Sequence, residues 1–288
     1  MANAIALFKK YIDLLDEVYK KSALTSVLDS SEVLARAGAN ANEIIIPKIS
    51  MDGLGDYSRN SGYVGGDVTL TNQTVAYNYD RGRKFTVDAM DDEESMGMAF
   101  GRLAGEFIRV KVVPEGDAFR FAEYASVTGI GSATADITTG AQILTALRVA
   151  TVAMDESEVP PEDRHLFITS ALHGLIMDLD STFNSASEFA SITKVPQTRF
   201  YTAITMLDGS TGGEEVGGYS KGASAKNINF AIIHKPAIMQ YNKHIVSGVI
   251  APEQNPDSDG YLFKYRKYGL ADAYENKVSG IYVHKAST

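Results

Sequence analysis

Hydrophobic positions change period from segment to segment along this chain. Near the start, Phe8, Tyr11, Leu15, Val18 and Tyr19 recur at three- and four-residue intervals, with Lys9, Lys10, Asp13, Asp16, Lys20 and Lys21 between them. That spacing predicts an amphipathic helix. A lone amphipathic helix cannot bury its own stripe, so Phe8, Tyr11 and Leu15 are candidates for docking on the rest of the chain or on a neighbouring subunit. Residues 38–66 lose this period. Gly38, Gly53, Gly55, Gly62, Gly65 and Gly66 stand among Asn, Asp and Ser around a strand-like piece from Ile44 to Ile49. The stretch is too long and irregular for a simple connection and reads as a functional or mobile loop.

Two strand-like runs follow. Val68 to Tyr79 is rich in Thr, Val and Tyr, and Lys84-Phe85-Thr86-Val87 comes after Asp80-Arg81-Gly82-Arg83. Asp and Gly suit a turn, so the pattern predicts a long hairpin with a basic tip. Arg81, Arg83 and Lys84 are then candidates for binding phosphate or for pairing with carboxylates of another subunit. The alternative is a solvated turn. Asp91-Asp92-Glu93-Glu94 precede the helical period of Met98, Leu103, Phe107, Ile108 and Val112. Carboxylates in a first turn oppose the helix dipole, and this reading is preferred over a metal cluster, whose ligands are usually spaced on a shaped loop. The helix is expected to reach about Val127 and to bend or break near Pro114 and Gly116.

From Thr128 to Gly140 the chain is rich in Gly, Ser, Thr and Ala, which marks a boundary. An α/β pattern lies beyond it. Helices are predicted over Ala141 to Ala153 and Ala171 to Leu179, and buried strands over His165 to Thr169 and Asn229 to His234. Val159 to Asp163 reads as a turn and glycine-dense Asp208 to Gly222 as a flexible loop. Ile245 to Ile250, Tyr261 to Tyr265 and Gly280 to His284 read as strands.

Composition narrows the function classes. Of 288 residues, 44% are hydrophobic and 22% charged, an ordinary globular balance able to support a sizeable core. Cysteine is absent, which excludes disulfides, thiolate metal sites and cysteine nucleophiles. The net charge of −9 argues against a nucleic-acid-gripping surface over the whole molecule, though not against a protein that encloses nucleic acid. No apolar run approaches the roughly 20 residues of a membrane span, and Met1 to Lys10 has no signal-type core, so a soluble cytoplasmic protein is expected. No phosphate-gripping glycine loop, dinucleotide fingerprint or nucleophile elbow occurs. His165, His173, His234, His244 and His284 form no metal-binding spacing, and Ser170, His173 and Asp178 are neighbours in sequence rather than a triad. No catalytic, cofactor-binding or metal residue is therefore predicted, and no cofactor.

The order of parts carries a resemblance. The segments are Val75-Ala76-Tyr77-Asn78-Tyr79-Asp80-Arg81-Gly82-Arg83-Lys84-Phe85-Thr86-Val87-Asp88 followed by Asp91-Asp92-Glu93-Glu94, then Thr138-Thr139-Gly140-Ala141-Gln142-Ile143-Leu144 through Val159-Pro160-Pro161-Glu162-Asp163-Arg164, and finally Asp257-Ser258-Asp259-Gly260-Tyr261 with Tyr265-Arg266-Lys267-Tyr268-Gly269, Asn276-Lys277 and Gly280-Ile281-Tyr282-Val283. In this order they resemble the major capsid protein of tailed bacteriophages, the Hong Kong 97-type fold. The resemblance implies an α+β chain with an N-arm over residues 1–41, an extended E-loop hairpin over 42–90, a P-domain spine helix over 91–127, an α/β A-domain over 128–240, and a return to the P-domain with a final strand over 241–288.

The resemblance further implies a head protein that self-assembles through pentamers and hexamers into an icosahedral virion shell in the host bacterial cytoplasm. Its partners would be scaffolding and portal proteins, and it would enclose double-stranded DNA without sequence-specific binding and without a membrane. An encapsulin-like compartment shell around an enzyme cargo is the alternative, and an unrelated α+β enzyme a distant third. Many family members carry a large helical scaffolding segment ahead of the arm. Nothing of that size stands here, which implies a separate scaffolding protein or a mature form. Lys48 and Lys84 do not align with the cross-linking lysine of some members, so no catalytic residue carries over.

Overall fold

A computed structural model describes residues 23–30, 36–37, 42–94, 98–178, 188–256 and 258–287. The amphipathic segment holding Phe8, Tyr11 and Leu15 lies outside them. The chain divides into two compact units: Ser31–Asn78, and Met1–Ser30 together with Tyr79–Thr288.

The smaller unit is an antiparallel sheet of β1 (Arg36–Ala37), β2 (Glu43–Met51) and β3 (Val68–Ala76). β2 and β3 pair from Glu43↔Ala76 to Met51↔Val68. Ile44, Ile46 and Val75 are buried near one end of this ribbon, while Ile49, Met51, Val68 and Leu70 are exposed toward the other. Beyond Met51 the loop closes through a Ser58↔Gly62 bridge, with the Tyr57 and Tyr63 rings edge to face at 4.9 Å. Gly62 has φ +78°, a conformation that costs a glycine little.

In the larger unit residues 23–30 hold a short helical turn (Leu24–Leu28), and the chain re-enters it at β4 (Tyr79–Asp88), where the sequence expectation fails. β3 pairs with β2, so residues 68–87 do not form a hairpin, and Asp80-Arg81-Gly82-Arg83 is strand interior rather than a turn. Next come α1 (Ala89–Glu94) and α2 (Met98–Phe107), a π-helical turn (Ile108–Val112), and α3 (Val113–Ser126). The run Asp91 to Glu94 lies within α1, whose cap is Asp88, its Oδ1 accepting from the Met90 amide at 2.9 Å. Pro114 does not break the helix. Backbone angles stay helical at Phe107, Val112 and Val113, and the wider turn resets the hydrogen-bond register just before the residue that lacks a donor.

The remaining elements are β5 (Gly131–Thr134), α4 (Gly140–Glu156), β6 (Arg164–Thr169), α5 (Ser170–Met177), β7 (Ser191–Val195), β8 (Ile204–Leu207), β9 (Gly218–Lys221), β10 (Ile228–His234), β11 (Ile238–Ile250), β12 (Gly260–Ala273) and β13 (Ile281–Lys285). α4 opens on a capping box in which Thr139 and Gln142 satisfy each other's amides. Asp208 to Gly222, expected as one flexible loop, ends in β9, which pairs with β8.

A five-stranded sheet of order β5-β13-β10-β6-β7 forms the centre, parallel at its two outer pairs and antiparallel inside. Alternation sends its residues to opposite sides. Leu166, Ile168, Phe230, Ile232 and Tyr282 pack with Ile143, Leu147 and Met154 of α4 and Leu172 and Ile176 of α5. Phe167, Ala231, Ile233, Ile281 and Val283 pack on the other side with Phe119, Phe121 and Tyr124 of α3. A second sheet, of order β11-β12-β4, lays Phe85, Phe263 and Tyr265 against Phe107, Ile108 and Val112. Among the described residues no helix is long and apolar enough to cross a membrane.

Candidate functional site

β4 presents Tyr79, Arg81, Arg83 and Phe85 on one face and Asp80, Gly82 and Lys84 on the other, and the two faces meet different surroundings. On the first, Arg81 donates from Nε to Glu115 Oε1 at 2.8 Å, and the Tyr79 hydroxyl donates to the same oxygen at 3.1 Å. Arg81 Nη2 also donates to the carbonyls of Leu207 at 2.7 Å and Gly218 at 3.2 Å, which are a facing pair in the β8–β9 hairpin. Burial works against charge on Arg81, but Glu115 outweighs it and holds the guanidinium above its ordinary value.

Arg83 reaches the tip of that hairpin. Its Nη2 donates to the Glu215 carbonyl at 2.9 Å. Gly209 and Gly217 have φ +76° and +67°, and a Cβ on them would stand 2.5 and 3.1 Å from Arg83 Nη1. Both glycines are thus set by backbone conformation and by the arginine they wrap. Asp208 starts the loop by accepting from the Ser210 and Thr211 amides at 2.7 and 2.8 Å, and the Thr211 hydroxyl and amide hold its carboxyl well below the ordinary range. Arg81 and Arg83 form a clasp between β4 and the hairpin. The clasp borders an open cleft of about 930 Å³, lined by Phe85, Phe107, Val110, Pro114, Val216 and Tyr219.

A buried polar network sits where residues 23–30 meet α3. Asp117 accepts from the Leu24 amide at 3.1 Å, the Thr25 amide at 3.2 Å and the Thr25 hydroxyl at 2.7 Å, and pairs with Arg199 at 3.3 Å. Arg120 donates to Thr25 Oγ1 at 2.7 Å, and Gln240 donates to the Thr25 carbonyl at 2.8 Å and to Asp29 at 2.6 Å. Lys267 is buried nearby with its ammonium over the Tyr79 ring at 5.9 Å. Burial, reinforced by Arg120, pushes it well below the ordinary lysine range. Residues 23–30, which fall within the expected N-arm, are therefore anchored by charge-assisted bonds rather than by apolar packing alone.

Lys84, on the other face of β4, is exposed and stands directly opposite Lys264 of β12. The structure thus separates the three basic candidates: Arg81 and Arg83 bind within the chain, and Lys84 faces solvent. Sequence reasoning missed Glu115, Asp117, Lys264 and the role of Gly209 and Gly217. One signal was present, the alternation of aromatic and basic residues at Tyr79, Arg81, Arg83 and Phe85, which is the period of a strand. His165, His234 and His284 are buried, and burial pushes each below the usual imidazole value. Among the described residues no group of three or more His, Asp or Glu side chains is placed to hold a metal ion.

No family model matches the sequence, nor does any curated protein. Solved structures do match. A structure of Mycobacterium phage Che8 covers 91% of this chain and 90% of its own at TM-score 0.62 and 12% identity. The capsid of the cyanophage P-SCSP1u covers 88% and 86% at TM-score 0.57 and 10% identity. A virus-like particle from Pyrococcus furiosus covers 96% and 99% at TM-score 0.61 and 12% identity. At such identities the likeness speaks for the fold, and the fold is one from which phage capsids and a virus-like particle are built.

Proposed function

We propose that this chain is the major capsid protein of a tailed bacteriophage, the repeating subunit of an icosahedral shell that encloses double-stranded DNA. The observation that carries the reading is the likeness to capsid structures over nearly the whole of both chains, as in the cyanophage capsid. A second observation supports it. Leu54, Tyr57, Tyr63, Val64 and Leu70 of the smaller unit are all exposed, an apolar surface that an isolated subunit leaves in water.

In this reading residues 1–41 are the N-arm, 42–90 the E-loop, 91–127 the spine of the P-domain, 128–240 the A-domain, and 241–288 the return to the P-domain and final strand. Pentamers and hexamers form from this subunit, with scaffolding and portal proteins as partners and the host bacterial cytoplasm as the place of assembly. The −9 charge keeps the contact with DNA weak, which lets packaged DNA slide during filling and exit.

The test is purification of particles from producing cells, followed by nuclease treatment and extraction. Nuclease-resistant duplex DNA inside shells made of this chain is the expected result. Particles that hold only protein cargo overturn the DNA-enclosing reading in favour of a protein compartment. The isolated subunit should bind two unrelated duplexes equally and weakly, with binding lost at physiological salt.

A further inference from the structure

The sheet β11-β12-β4 has one face packed and one face open. On the open face, antiparallel register sets Lys84 directly against Lys264. Like charges directly opposite each other destabilise a sheet, and neither lysine has an ion-pair partner among the described residues. Arg266 lies two residues along β12 and is met by Asp80 at 2.6 and 2.8 Å. Lys243 lies over the Tyr268 ring at 5.7 Å. Asp80 thus answers Arg266, and Lys84 and Lys264 face each other with no carboxylate of the described residues between them, in a chain whose net charge is −9. Glycines keep the neighbouring positions low: Gly82 faces Arg266, and the Lys264 stem lies across Gly248, where a Cβ would stand 2.9 Å from its Cε.

The acid excess of the chain has a dense exposed concentration elsewhere. Residues 155–163, between α4 and β6, hold Asp155, Glu156, Glu158, Glu162 and Asp163. Asp155 pairs with buried Arg164 at 2.7 Å, but that guanidinium is otherwise directed to the carbonyls of Val159 and Pro160. Glu156, Glu158 and Glu162 are exposed and have no cationic partner among the described residues.

We propose that the Lys84–Lys264 face of one subunit receives the acidic turn 155–163 of a second copy. The proposal rests on the shell reading above. The two surfaces differ and belong to one chain, so the contact is heterologous. It leaves a face and a turn free on each pair and propagates into a ring or lattice instead of stopping at a dimer. Duplex DNA is the competing polyanion. The net negative charge of the chain disfavours it, whereas a second copy brings unpaired glutamates to unpaired lysines.

The test is sedimentation of the full chain at about 0.1 M and about 0.5 M salt, for four proteins. They are the wild type, Lys84→Glu with Lys264→Glu, Glu156→Lys with Glu158→Lys and Glu162→Lys, and a chain carrying all five changes. Melting curves confirm that each is folded, and Lys84→Gln with Lys264→Gln stands in if the reversal melts early. Each partial reversal should weaken association by roughly tenfold at the lower salt, and the five-change chain should recover most of it. Unchanged association in the lysine variant, or no recovery in the five-change chain, overturns the proposal while the shell reading stands. Lysine variants that lose binding to a short duplex but associate normally also overturn it, and assign the face to DNA. A wild type that stays monomeric at both salts, with and without scaffolding protein, contradicts both the proposal and the shell reading.

Discussion

The five-stranded sheet hides both of its faces, and the three-stranded sheet hides one. In the first, all six residues of β6 are buried, and neighbouring side chains alternate between the α4–α5 side and the α3 side. In the second, Phe263 is buried against the π-helical turn while Lys264, the next residue, stands in water opposite another lysine. The ribbon β2–β3 goes further and exposes Ile49, Met51, Val68 and Leu70. A sheet that commits both faces to its own core has only its edges left for another chain. A sheet that keeps one face open, in a pattern unfavourable for an isolated molecule, holds that face for a contact made elsewhere.

The strongest way to break this contrast is at the covered sheet. Phe167 is fully buried, with its ring 5.2 Å from that of Phe121. Phe167→Ala should cost about 3–5 kcal/mol of unfolding free energy in a urea titration. A loss below about 1 kcal/mol would mean that this face is not packed as described.

The Asp117 network comes next. Asp117→Ala leaves Arg199 without its carboxylate and releases two amides and a hydroxyl of residues 24–25. A cost of about 3 kcal/mol is expected, the low end for a broken buried pair because Arg199 is partly exposed. Limited proteolysis should then cut within residues 23–30 faster than in the wild type. An unchanged cleavage rate would show that the network does not anchor this segment.

A third expectation concerns pH. His165, His234 and His284 have folded values pushed below the unfolded value of 6.5 by burial. Their contribution is complete above the unfolded value and is lost as acidification passes through the lower folded values, so stability must fall below about pH 6.5. The His165→Gln variant should show a shallower fall in a pH series of melting temperatures. A slope equal to that of the wild type would count against a neutral buried imidazole at this position.

The smallest effect has the opposite sign. Lys264→Ala removes a like-charge pair on the open face and should stabilise the isolated subunit by about 0.2–0.5 kcal/mol, while weakening its association. Destabilisation by more than about 1 kcal/mol would mean that Lys264 supports the fold rather than a contact.

Which elements were legible in the sequence follows from where their partners lie. β6 and β10 are continuous apolar runs bounded by turn residues, and α4 has both a helical stripe and the Thr139–Gln142 box; such signals are local. β4 was obscured because Asp80 and Gly82 look like turn residues. Gly82 is there because the Tyr265 carbonyl passes 2.8 Å from where its Cβ would be, and the strand is bound to a partner 186 positions away. β5 is Gly-Ser-Ala-Thr with no apolar run, and it exists because parallel pairing with β13 holds it and the Tyr282 ring occupies the space above Gly131. The clasp was half legible. The basic residues of β4 stood out, but Glu115 and the glycines they meet come from other parts of the chain.

The central claim, that this subunit builds closed shells, is tested most directly by negative-stain electron microscopy of the purified chain, expressed alone and together with the proposed scaffolding partner. Rings of five and six subunits and closed icosahedral particles are the predicted result. A compact monomer at every concentration and salt, in both preparations, would contradict it.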